Sequence, residues 1–194
     1  MPELLIHTSA TAEWLSLVHE AESAAELHLD EEMQSYLVFL LMRFTEQPEL
    51  AASVLAIEYL QSMQSSGRIG HDQLRNVGDK CLLYSGLFPE RAERRRVKIS
   101  YFVDLGRSAY QQLSDRMEHS AAAMYLHLAD AFVSLMDVLQ TMRTLGEPAR
   151  KLAPLHAFEL WRDTGSQAAL RNLRETTGAT PLRFPAGDDG ENRH

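Results

Sequence analysis

Cysteine is nearly absent: the 194-residue chain holds one, Cys81, in the apolar run Cys81-Leu82-Leu83-Tyr84. One thiol excludes an intramolecular disulfide framework and any multi-cysteine zinc site, and it points to a reducing compartment. Its neighbours mark it as a small buried hydrophobe rather than a reactive nucleophile. Long apolar runs are missing too. The longest, Tyr36 to Met42, has seven residues, against the roughly 20 that a membrane-spanning helix needs. The start, Met1-Pro2-Glu3-Leu4-Leu5-Ile6-His7, has neither the basic opening nor the apolar stretch of a secretory signal. The expectation is a cytoplasmic protein with no membrane partner.

Positive charge is scarce as well. The net charge is −8, which makes nucleic acid an unsuitable partner, because phosphate contacts need a basic surface. Arginine outnumbers lysine sixteen to three, which reads as genomic bias. Several catalytic signatures are absent. There is no Gly-x-x-x-x-Gly-Lys-Ser/Thr phosphate loop, no Gly-x-Gly-x-x-Gly dinucleotide turn, no Gly-x-Ser-x-Gly elbow and no His-Glu-x-x-His zinc helix. Glu-x-x-His, which marks inward-facing di-iron carboxylates when it recurs on two helices, occurs once, at Glu191–His194 in the polar tail, and not in any expected helix.

What is present is helical periodicity. Apolar residues recur at i, i+3, i+4 and i+7, with no alternation of period two. The spacing predicts an all-α fold, a compact bundle or array of about seven to eight helices. They are expected near 11–26, with Thr11 as cap, 30–45, capped by Asp30, 48–64, 71–84, 100–117, 120–144, 154–164 and 166–177. Residues 1–177 read as one domain, and 178–194 as a polar, loosely held tail. Segments 9–84 and 99–177 read as two related halves. Leu27-His28-Leu29 echoes Leu126-His127-Leu128, Pro48 echoes Pro148, and Leu55-Ala56-Ile57-Glu58 echoes His156-Ala157-Phe158-Glu159.

Two places are candidates for function. Segment 120–144 is apolar nearly all round, which suits a central helix. Its polar residues His127, Asp130, Ser134, Asp137 and Thr141 fall on one stripe about 80° wide. The stripe is either a solvent-facing line or the lining of a cleft. In the cleft reading His127, Asp130 and Asp137 are the catalytic candidates, with His127 and Asp130 as an acid/base couple. No metal or other cofactor is expected; the donors nearest to a ligand set are His28, His127, Glu58 and Glu159.

The second place is Leu87 to Lys98, which joins the halves and sets five positive charges against two negative in an acidic chain. Arg91, Arg94, Arg95 and Arg96, with Leu87 and Phe88 expected as exposed apolar neighbours, suit phosphate, carboxylate or an acidic protein face. The alternative is a solvated run paired with its own acidic neighbours. The sequence therefore favours a non-enzymatic bacterial protein that works through a protein partner, self-association or regulation. An anionic ligand at the arginine-rich segment fits the same residues. The competing expectation is a helical-bundle enzyme or small-ligand binder that uses the polar stripe.

Overall fold

A computed structural model describes residues 2–47, 55–94, 96–147 and 151–181, with the backbone alone at 2–9, 55–57 and 93. The fold is all-α, as the periodicity predicts, and the described residues contain no strand. The helices are α1 (Pro2–Ala25), α2 (Glu31–Glu46), α3 (Leu55–Gln64), α4 (Gly67–Gly86), α5 (Glu90–Arg94), α6 (Ile99–Arg116), α7 (His119–Asp130), α8 (Phe132–Gly146), α9 (Pro154–Thr164) and α10 (Gln167–Thr177).

Local chemistry sets several ends. Asp30 caps α2, its Oδ1 accepting from the Met33 N–H at 3.0 Å. Pro154 opens α9, and Ser166 caps α10 by accepting from the Ala169 N–H at 3.0 Å. Gly165 and Gly178, at φ +79° and +68°, end these two helices in the left-handed conformation that glycine adopts without strain.

Three expectations need correcting. Thr11 does not start a helix. It lies inside α1, and its hydroxyl points sideways to the Met42 sulfur at 3.5 Å. The stretch between the helices expected at 71–84 and 100–117 is partly helical, since α4 runs on to Gly86 and α5 follows. Most important, 120–144 is two helices, α7 and α8, bent by 60° at Ala131. No proline or glycine marks the break. The Ala129 carbonyl, which a straight helix would give to the fourth amide ahead, instead accepts from the Arg107 Nε of α6 at 3.1 Å. The bend lets α7 lie on α6 while α8 packs on α1 and α4. No single described helix is long and apolar enough to cross a membrane.

The core is centred on α4 and α6. α4 also packs on α3 and α8, α6 on α7 and α9, and α1 on α2 and α8. Tyr84, Phe102, Tyr110 and Phe132 are fully buried there, as is Cys81. Glycine permits the closest approaches: a Cβ on Gly106 would meet the Phe132 ring and the Cys81 Cβ. Gly106→Ala should therefore lower stability by about 1–2 kcal/mol, an overpacking cost of about 1–3 partly offset by better helix propensity. Urea unfolding measures it, and an unchanged midpoint would show that the helices are not held this close.

Three helices echo each other along the chain. The starts of α8 and α10 fall 101 and 100 residues after those of α2 and α4, and α9 ends 100 residues after α3. Ser66 and Ser166 precede α4 and α10, and α3–α4 and α9–α10 both pack as hairpins. The Leu-His-Leu phrases do not share this correspondence: the first lies in the loop after α1, the second inside α7. Pro48, Pro148 and the tail from 182 lie outside the described residues.

Candidate functional site

The break at Ala131 divides the polar stripe. His127 sits in the last turn of α7 and reaches the start of α2, with Nε2 3.1 Å from Asp30 Oδ2 and Nδ1 3.3 Å from Glu32 Oε2. All three side chains are about half exposed. Asp130 is exposed at the end of α7. Asp137 is buried on α8 and turned to α10, where it accepts from the Ser166 hydroxyl at 2.5 Å and from the Gln167 and Ala168 N–H groups at 2.8 and 3.2 Å. The structure thus couples His127 to α2 and Asp137 to α10; it does not gather His127, Asp130 and Asp137 around one space.

The four donors considered for a metal are also apart. The His28 side chain is 89% exposed and 3.9 Å from Glu22. Glu58 pairs with the nearly buried Lys80 at 2.7 Å. Glu159 lines a cavity whose walls do not include His127. Among the described residues no group of three or more His, Cys, Asp or Glu is placed to hold a metal ion. Burial pushes the Cys81 thiol well above its ordinary value, so it stays protonated and unreactive.

The sequence gives little warning of the most connected polar group. Asp79, buried on α4, accepts from the Tyr36 hydroxyl (2.5 Å), the Tyr110 hydroxyl (2.7 Å) and Arg43 Nη2 (2.6 Å), with Arg75 Nε 3.8 Å away. Burial, and then the charge of Asp79, push both phenols well above their ordinary value, so both donate. The hub ties α2, α4 and α6 together. The one available signal is an acidic residue at 79 on the helical face shared with Leu82, Leu83 and Gly86.

The arginine-rich segment is partly spent on the fold and partly free. Arg91 stacks on the rings of Tyr84 and Phe88, 5.3 Å from each centroid. Phe88, expected to be exposed, is half-buried and packs on Phe44 with centroids 5.4 Å apart. Arg95 lies outside the described residues. Arg94 and Arg96 are exposed and meet no ion-pair or hydrogen-bond partner among the described residues.

Arg96 stands in the turn that closes α5. Its φ is +55°, and the Val97 N–H reaches back to the Ala92 carbonyl at 3.0 Å, so the turn leaves Arg96 facing outward. Beyond it lies a cavity of about 260 Å³, open to solvent and lined by Arg96, Lys98, Ser100, His156, Glu159 and Leu160 among others. Its walls are the approach to α6 and the His156–Glu159–Leu160 face of α9. Lys98 Nζ is 3.7 Å from Asp163, to which the Ser100 hydroxyl also donates at 3.1 Å. Burial would raise Asp163, but hydrogen bonds from Arg162 and Ser100 and the nearby positive charges hold its carboxyl below the ordinary value. The arrangement offers charge and shape for an anion, with apolar walls from Val97, Ile99 and Leu160. The chain matches no family model, no curated protein and no solved structure.

Proposed function

We propose that the protein acts by binding rather than by chemistry: it is a non-enzymatic helical protein, working in the bacterial cytoplasm, whose basic edge receives an acidic segment of a protein partner. The observation that carries this is Arg96, which is exposed, unpaired among the described residues and lines an open cavity, with Arg94, likewise exposed and unpaired, two residues before it. In a chain of net charge −8 such groups are expected to be neutralised by internal carboxylates. Arg91, Arg143 and Lys151 follow that expectation through ring stacking and ion pairs; Arg94 and Arg96 do not.

Glu159 and Asp163 bound the site and set its ligand charge. With Arg96 and Lys98 facing two carboxylates, the edge suits single carboxylates along a peptide better than a phosphate dianion. The aliphatic walls accommodate the stem of a glutamate side chain.

The test is a triple variant, Arg94→Gln, Arg96→Gln and Lys98→Gln, titrated with a fluorescent glutamate-rich peptide. Exposed charges are worth about 0.2–1 kcal/mol each, so affinity should fall about tenfold while circular dichroism and thermal midpoint stay unchanged. Equal affinity for variant and parent would remove the basic edge as the binding site.

A further inference from the structure

The cavity has an acidic segment of its own chain within reach. α9 and α10 form a hairpin around Gly165 and Ser166, so the end of α10 lies beside the start of α9. Two contacts fix this: Lys151 Nζ meets Glu175 Oε2 at 2.8 Å, and Asn172 Nδ2 donates to the Leu152 carbonyl at 3.2 Å. His156 and Glu159, which line the cavity, stand in the first two turns of α9. The chain therefore leaves α10 at the end of the hairpin from which the cavity wall is built.

The described chain stops at Pro181, and the sequence continues to Gly187-Asp188-Asp189-Gly190-Glu191. The seven residues from Pro181 to Asp188 span about 23 Å when extended. Packed helices lie about 10 Å apart, and one helical turn rises about 5 Å, so the cavity is inside that radius. Charge selects the same segment. Asp188, Asp189 and Glu191 put three carboxylates within four residues, with no basic residue among them. Arg94 and Arg96, exposed and unpaired among the described residues, are their complement, with Lys98, held at 3.7 Å from Asp163, beside them.

Resting on the reading of the basic edge as an acceptor of acidic segments, we infer that Asp188–Glu191 of the same chain docks there, with one carboxylate at Arg96. It thereby competes with an acidic partner. The occupant is regulatory: a partner binds only as tightly as it displaces the chain's own carboxylates.

Carbodiimide coupling tests this on the full chain, because it joins a carboxylate to a lysine amine only where the two touch. The chain has three lysines, Lys80, Lys98 and Lys151. Mass spectrometry should find the 186–194 region joined to Lys98, and an equal mixture of ¹⁵N-labelled and unlabelled protein should give no mixed-label pairs. Arg96→Gly suits the left-handed turn but removes the guanidinium, and it should cut the yield several-fold. Neutralising the segment with Asp188→Asn, Asp189→Asn and Glu191→Gln should tighten glutamate-peptide binding about three- to tenfold. Coupling to Lys151 alone, no coupling, mixed-label pairs alone (a second copy as occupant) or unchanged peptide affinity would each overturn the inference. Peptide binding that persists without tail coupling would leave the basic edge standing and remove only its internal occupant. Loss of peptide binding even in the neutralised variant would remove the basic edge itself as a peptide site.

Discussion

Asp79→Ala should lower stability by about 3–5 kcal/mol, enough to unfold much of the protein at ambient temperature if its margin is ordinary. The carboxylate accepts from Tyr36, Tyr110 and Arg43, and it is 2% exposed. Its removal leaves two phenols and a guanidinium without their acceptor in a largely buried cluster. Cutting the donors one at a time should be milder. Tyr110→Phe removes one hydroxyl and leaves the other two donors on Asp79, at a cost of about 1 kcal/mol. Chemical denaturation of both variants measures the contrast. Similar losses from the two would show that Asp79 is not the organising acceptor.

Asp137→Ala should cost about 1–3 kcal/mol and should loosen α10 selectively, because the carboxylate holds the Ser166 hydroxyl and two N–H groups of that helix's first turn. Hydrogen exchange should rise along α10 before it rises in α4 or α6; uniform protection loss would contradict a local role. The same group makes stability depend on pH. Burial pushes Asp137 above the ordinary carboxylate value, outweighing hydrogen bonds from Ser166, Ala168 and Gln167. The folded state therefore keeps this proton to higher pH than the unfolded chain. The group's contribution is greatest below the unfolded value of about 3.9 and is lost as pH rises through the folded value. The stability of the parent minus that of Asp137→Asn should fall across this interval. A difference that stays flat or rises with pH would show that burial does not dominate.

Helix type and much of helix placement were legible because apolar periodicity follows directly from burying one face. The cap at Asp30 is local chemistry and is read from the sequence, whereas Thr11, an equally good cap by residue type, lies inside α1. The break at Ala131 was not legible. It depends on Arg107, 24 residues away in sequence, supplying a donor to the Ala129 carbonyl. That contact also divided the polar stripe, whose apparent unity assumed a straight helix. Asp79 went unnoticed for a related reason: its partners come from α2 and α6, and no local pattern joins residues 36, 43, 79 and 110. The arginine-rich segment was visible by composition. Which arginines are free was not, since Arg91 is taken up by the rings of Tyr84 and Phe88 while Arg96 is turned outward by the backbone after α5.

The most direct test of binding at the basic edge is the salt dependence of glutamate-peptide affinity in the parent and in the Arg94→Gln, Arg96→Gln, Lys98→Gln variant. Exposed ion pairs are screened over about 10 Å at 0.1 M salt. Parent affinity should therefore fall steeply between low and physiological ionic strength, while the variant should bind weakly and respond little. Parallel curves for the two proteins would contradict binding at the basic edge.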